Sequence, residues 1–178
     1  MLLDGFNTSD AAEAASVVAV WAAIPAWVDE VVAARPFDSV DALAAHAAAA
    51  AARWTPADLD AALAHHPRIG QRPAGAGAEA AASRREQAAM TDAATDVAVA
   101  IAAGNAEYED RFGRVFLIRA AGRSPEEILT ELRRRLRNDD ESEAREALRQ
   151  LAEIAVLRLR GSVTEPASAE ASNERIVP

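Results

Sequence analysis

Cysteine is absent from the 178 residues, and so is lysine: all 19 basic residues are arginine. The first absence excludes disulfides and thiolate chemistry. The second excludes Schiff-base catalysis, because no lysine amine is present to attack a carbonyl or hold pyridoxal phosphate. Histidine numbers only 3 and aromatic residues only 4%. A chain so poor in rings is expected to build its core from Leu, Val, Ile and Ala, which favours closely approaching helices. No stretch of about twenty apolar residues is free of charge, so no membrane-spanning helix is expected. Met1 to Ser9 lacks a basic segment followed by a long apolar run, so no signal peptide is expected and the cytoplasm is the default location. An excess of positive charge is missing too. The net charge of −9 speaks against nucleic acid and an anionic membrane surface, both of which select basic faces.

What is present is helical periodicity almost throughout, with no period-two alternation to compete with it. The length predicts one domain, and the pattern predicts an all-α, single-domain bundle of about seven or eight helices. Ser9-Asp10 starts a helix towards Trp21, and Pro25 opens the next, which stops before Pro36. Ser39 caps a third that ends near Trp54. Thr55-Pro56 places an N-cap before proline at the first helical position. That helix ends around His65, because Pro67 pushes His66 out of the helical region. Gln71 to Gly77 reads as a loop. A long helix is expected over 78–103, then a short one over 105–111, then an irregular apolar connector from Phe112 to Gly122. Ser124-Pro125-Glu126-Glu127 is another start. The last helix begins at Asn138 or Asp139 and runs to about Arg160. Residues 161–178 are polar and aperiodic, so they are expected to form a disordered tail after a domain spanning 1–160.

Three features can carry chemistry. The first is His66 in His66-Pro67-Arg68-Ile69-Gly70. Histidine is the side chain best suited to proton exchange near neutral pH, and Pro67 fixes the backbone beside it. The plainer reading is a helix end with its imidazole on a backbone carbonyl. The second is Ser83-Arg84-Arg85-Glu86-Gln87. Ser-x-x-Glu is a capping box if a helix begins there. If the helix begins earlier, Ser83, Glu86, Gln87 and Met90 share one face that continues through Ala93, Val97 and Ile101. A hydroxyl, a carboxylate and an amide then head a buried stripe and need partners. The third is Arg158, next in register after the apolar positions Ala144, Ala147, Leu148, Leu151, Ile154 and Ala155. It is either a snorkelling arginine at a helix end or a guanidinium able to grip a carboxylate. A metal site is not expected. The three histidines include the distant His46, and no Glu-x-x-His pair supplies ligands. Gly75-Ala76-Gly77 lacks the lysine and preceding strand of a phosphate cradle.

Together with their surroundings, these clusters resemble the 2-oxo-4-hydroxy-4-carboxy-5-ureidoimidazoline (OHCU) decarboxylase family. The resemblance includes Phe6-Asn7, Trp27 and Arg35-Pro36-Phe37. It continues through the His66 and Ser83 motifs, Asn105, Tyr108 and Arg111-Phe112-Gly113. Gly122-Arg123-Ser124, Arg135-Leu136-x-Asn138 and Arg158-Leu159 complete it, so about residues 5–160 are covered in order. The family is all-helical, needs no cofactor and generally forms a homodimer. It converts OHCU, a small-molecule substrate of urate degradation, into (S)-allantoin and carbon dioxide. By motif match, His66 resembles the catalytic histidine, and Glu86 is assigned to catalysis with it. Pro67, Ser83, Glu86, Gln87 and Arg158 resemble substrate-binding residues. Phe116, Leu117, Ile118, Arg119 and Ala120 resemble the segment that lends backbone groups to the ligand. The chain departs from the pattern in the two cations of Arg84-Arg85 and in Arg119. Two other readings compete: a helical interaction module without catalytic activity, and a divergent member acting on another ureido-imidazole.

Overall fold

The structure, a computed structural model, describes residues 1–63, 68–71 and 77–165. Among these it contains nine α-helices and no strand. They are α1 (Leu3–Thr8), α2 (Ala11–Trp21), α3 (Pro25–Ala33), α4 (Val40–Ala51), α5 (Pro56–Leu63), α6 (Ala78–Glu86), α7 (Thr95–Phe112), α8 (Pro125–Arg135) and α9 (Asp140–Ser162). The expected all-α architecture is what these residues form. None of the helices is long and apolar enough to cross a membrane.

The helix starts follow the capping chemistry. Asp10 accepts from the Glu13 N–H at 2.8 Å, Ser39 from Ala42 at 3.0 Å and Asp139 from Ser142 at 2.8 Å. Ser124 and Glu127 form a reciprocal capping box with Pro125 at the first helical position. Each such bond satisfies an amide that the helix itself leaves without a partner.

α9 is the central strut. Its buried face (Ala147, Leu151, Ile154, Ala155 and Leu159) packs against α2, α4 and α5. A second, smaller apolar cluster joins α7 to α8 and takes in Ile69, Phe116 and Ile118. Aliphatic residues and alanine dominate both, as expected. Aromatics matter more than their scarcity suggests, because seven of the eight are buried. Trp27 meets Trp54 edge-on at 5.4 Å and Phe6 meets Trp21 at 5.8 Å, arrangements that add to simple burial.

Where α7 crosses α8, Gly104 lets the helices touch. A Cβ there would lie 2.6 Å from Leu132 Cδ2 and 3.1 Å from its Cγ, and Leu132 is fully buried with little room to yield. Gly104→Ala is therefore expected to destabilise the fold. Overpacking costs ~1–3 kcal/mol, and better helix propensity offsets only about 1 kcal/mol of that. Urea denaturation measures the difference, and a gain in stability would show that the two helices separate freely.

Three expectations need correction. The single helix over 78–103 is broken: α6 ends at Glu86, a 3₁₀ turn spans Ala88–Asp92, and α7 starts at Thr95, absorbing the short helix expected over 105–111. α1 was not foreseen, since Leu2 at its start offers no capping side chain; burial of Leu3 and Phe6 holds it instead. The last helix runs on to Ser162, and residues 163–165, assigned to the tail, are docked. Val163 is buried, Thr164 exchanges backbone bonds with Leu3 and Met1 at 2.9 and 3.0 Å, and Glu165 accepts from the Val40 N–H at 2.6 Å. The rest of the expected tail, 166–178, lies outside the described residues.

Candidate active site

Arg158 gathers the site. It continues the apolar stripe of α9, so its side chain enters the interior and is only 5% exposed. That rules out the snorkelling reading, which needs the charged head in water. Its Nε donates to Glu86 Oε1 at 2.6 Å and its Nη2 to Glu86 Oε2 at 2.9 Å. This two-pronged pairing is the geometry that a planar guanidinium favours. Nη2 also donates to Ser83 Oγ at 3.2 Å, and Nη1 to the Val20 carbonyl at 3.1 Å. A guanidinium carries five N–H donors. Four are engaged, so one N–H on Nη1 remains.

Ser83 and Glu86 reach Arg158 because α6 begins at Ala78 and packs on α2. Both sit in its last turns, one helical turn apart. The capping-box reading therefore fails for them: they end a helix rather than start one. Ser83 is buried and the Glu86 side chain is 14% exposed, so the carboxylate keeps one edge accessible. The shared face holds for these two residues and stops there. Gln87 is the C-cap of α6, and beyond it the chain turns.

Gln87 serves a different contact. Its amide oxygen accepts from the Gly70 N–H at 2.9 Å. Gly70 has φ +81°, a conformation that glycine adopts without steric cost. The neighbouring Ile69 carbonyl accepts from Asn105 Nδ2 at 2.9 Å, and the Arg68 guanidinium pairs with Glu109, Nη2 to Oε2 at 2.6 Å. The second half of the His66 motif is thus fastened to α7 and to the end of α6. His66 and Pro67 themselves lie outside the described residues.

The segment Phe116–Ala120 is irregular, as expected of the connector. Phe116, Leu117 and Ile118 bury their side chains. Several of its backbone groups already have protein partners. Leu117 O accepts from Arg135 Nη1 at 2.7 Å, the Arg119 N–H donates to Gln150 Oε1 at 3.0 Å, and Ala120 O accepts from the Arg123 N–H at 3.0 Å. The Arg119 side chain turns away to Glu153 and to the Ala121 carbonyl. Ala121, one residue beyond the expected stretch, is the one that lines the cavity beside Arg158.

That cavity holds about 250 Å³ and is walled by Val20, Trp21, Ala82, Arg85, Glu86, Ala121, Leu157, Arg158, Gly161 and Ser162. The sequence reading missed Trp21, Ser162 and the role of Arg85. Trp21 Nε1 donates to Ser162 Oγ at 2.8 Å, which pins one wall. No local signal marks Trp21, and Ser162 fell in the supposed tail. Also missed was a polar network behind the connector, in which Tyr108, Arg135 and Glu143 are buried and Asn138 is half-buried. Arg135 Nε donates to Glu143 Oε1 at 2.9 Å, Tyr108 OH donates to the same oxygen, and Asn138 Nδ2 donates to Oε2 at 2.8 Å. The Arg135 guanidinium also lies 4.7 Å from the Phe116 ring centroid. Its signal was present, as Arg135 and Asn138 belong to the motifs quoted above, but Glu143 looks like any acid in a first helical turn. No group of three or more metal-ligating side chains occurs among the described residues.

The arrangement places a carboxylate with one accessible edge and a single guanidinium N–H at a small cavity, with the Gln87 amide turned beside it to Gly70. It suits a polar, nitrogen-rich ligand. Comparison with known proteins points the same way. The family model described as OHCU decarboxylase matches residues 7–160. The 2-oxo-4-hydroxy-4-carboxy-5-ureidoimidazoline decarboxylase of Mus musculus is 34% identical over 127 residues, covering 70% of this chain and 71% of that protein. The protein of the same name from Amia calva is 36% identical over 105 residues, covering 58% and 60%. A crystal structure of OHCU decarboxylase in the presence of (S)-allantoin superposes with a TM-score of 0.68 at 22% identity, covering 80% of this chain and 93% of that one. A crystal structure of (S)-allantoin synthase gives 0.67 at 18% identity, covering 92% and 54%. At those identities the superpositions speak for the fold.

Proposed function

The chain belongs to the OHCU decarboxylase family and is a carboxy-lyase acting on OHCU in urate degradation; from that premise we propose that the reaction to (S)-allantoin takes place at the Arg158 cavity, with Glu86 and His66 as catalytic residues. The single observation that carries this is the two-pronged Arg158–Glu86 bond. It fixes the carboxylate against rotation, and each oxygen keeps a lone pair for a substrate N–H. Glu86 then receives the ureido and ring N–H groups. Ser83 holds Arg158 in place, and Arg158 offers its one remaining N–H. The Gln87 oxygen is engaged by Gly70, so Gln87 binds through its amide N–H groups. Pro67 and the Phe116–Ala120 backbone complete the binding set, with His66 orienting the substrate carboxylate.

The chemistry asks little else of the protein. The bond to the carboxylate breaks, its electron pair passes towards the adjacent imine, and carbon dioxide leaves. A proton is then delivered to one face, with His66 in the exchange. The imine is the electron sink, so no cofactor is invoked. Fixed dipoles aimed at the reacting atoms favour loss of the charged group. We further propose a cytoplasmic homodimer that binds neither nucleic acid nor membrane, on the strength of the family resemblance, the net charge of −9 and the absence of cysteine.

Freshly prepared OHCU, followed by circular dichroism as (S)-allantoin accumulates, tests the reaction. In the same assay Glu86→Gln is expected to lower kcat/KM at least roughly tenfold, equivalent to ~1.4 kcal/mol. Arg158→Lys is expected to weaken substrate binding, since an ammonium cannot reproduce the planar fork. Full activity in both variants would make the pair structural.

A further inference from the structure

We propose that Arg85 captures the substrate carboxylate at the mouth of the Arg158 cavity and so lets the site prefer its charged substrate over its neutral product. The inference rests on the reaction assigned above. It starts from the charges around the cavity. OHCU is an anion, and it approaches a protein of net charge −9, whose overall field repels it. The cation buried in the cavity is already spent: Arg158 is neutralised by Glu86, with four of its five N–H groups engaged. The lining contains one other charged side chain, Arg85. It is exposed and makes no ion pair or side-chain hydrogen bond among the described residues. The charge that Arg85 adds to the lining is therefore positive, in a molecule whose net charge is −9. Walls around a cleft focus such a field and raise the local concentration of the oppositely charged ligand.

Its position also decides which kinetic step it serves. A cation buried against the carboxylate would stabilise the very charge that must be lost, and would slow bond breaking. Arg85 stands at the rim in high dielectric, so it acts on encounter and binding rather than on the chemical step. Once carbon dioxide has left, (S)-allantoin carries no carboxylate and is not held by Arg85. Substrate entry is favoured and product exit is unaffected.

The test uses the full chain with Arg85→Gln, Arg85→Lys and, as a control that removes the same charge elsewhere, Arg133→Gln on the exposed side of α8. Turnover of OHCU is measured at low and high ionic strength. Binding of allantoate, a stable ureido carboxylate, and of neutral (S)-allantoin is measured by calorimetry. Arg85→Gln is expected to raise KM and the allantoate Kd threefold to tenfold at low salt, with (S)-allantoin Kd and kcat changed less than twofold. The defect should shrink at high salt, because exposed charges are screened. Lysine should restore most of the loss, and Arg133→Gln should cause none. Unchanged KM and allantoate affinity in Arg85→Gln overturn the proposal. So does an equal loss of allantoate and allantoin, which would mean that Arg85 shapes the cavity rather than reads charge. Failure of the wild-type chain to turn over OHCU is a separate result that removes the assigned reaction.

Discussion

Replacing His66 by Asn is expected to lower turnover of OHCU by roughly a hundredfold to ten-thousandfold, the range typical for loss of general acid–base catalysis. Helical circular dichroism should be unchanged. The family resemblance gives His66 the catalytic role, and histidine is the side chain best suited to proton exchange near neutral pH. Arg158 cannot give up its proton in a protein. Glu86 is engaged by Arg158 through both oxygens and is assigned to the substrate N–H groups, and Ser83 Oγ accepts from the same guanidinium. A proton must still reach one face of the product. The described part of the His66 motif is held by Glu109, Asn105 and Gln87, the last of which is the residue after Glu86. His46→Asn is the internal comparison: that ring sits beside Phe37, with Nε2 at 4.0 Å from Glu30, and its loss should be mild. Near-normal turnover by His66→Asn would return His66 to the helix-end reading.

Glu143→Ala is expected to cost about 3–5 kcal/mol of folding stability, the usual consequence of removing one partner of a buried ion pair. Glu143 and Arg135 are 0% and 1% exposed at their side chains. Truncation strands the guanidinium, deprives Tyr108 of its acceptor and leaves Asn138 with Glu146 alone. Burial, against the pull of Arg135, holds the Tyr108 phenol well above its ordinary pKa, so it remains a donor and cannot compensate by ionising. The damage should extend to the connector, because Arg135 also grips the Leu117 carbonyl. Denaturant titration measures the loss. The double replacement Arg135→Met with Glu143→Leu is expected to be milder than Glu143→Ala alone, since it leaves no buried charge unpaired. A cost below ~1 kcal/mol for Glu143→Ala would show that water reaches the pair.

Much of this was written locally in the chain. Asp10, Ser39, Ser124 and Asp139 each announce a helix by an oxygen placed to accept an amide three residues on, and no distant contact is needed to read them. The register of Arg158 was legible for a similar reason: a helix of 3.6 residues per turn carries an apolar stripe forward predictably. The break between α6 and α7 was not legible. Residues 87–94 contain neither glycine nor proline, and Ala94 at the start of α7 provides no cap. The break comes from tertiary demands. α6 must lie on α2 to bring Glu86 to Arg158, while α7 must lie on α8, and Gln87 turns to meet Gly70. Glu143 was hidden by its place in the first turn of α9, where acids are ordinary. Residues 161–165 look like tail because a short polar stretch shows no periodicity, yet the bridge to Leu2 and the Trp21–Ser162 bond hold them in place.

α9 links the two ionic centres on one rigid body. Glu143 lies near its start and Arg158 near its end, fifteen residues apart, a rise of about 22 Å at 1.5 Å per residue. Each residue also turns the helix by about 100°. Fifteen steps return Arg158 to within about 60° of the direction of Glu143, so both face inward from the same rod. Inserting or deleting one residue between them would swing one anchor away from its partner while leaving the other seated. The intervening stretch is therefore constrained in length far more tightly than in composition. Exposed positions such as Arg145 and Arg149 can vary, but the number of steps cannot. In this fold, the spacing of two charges along a single helix works as a gauge that sets where the cavity wall stands.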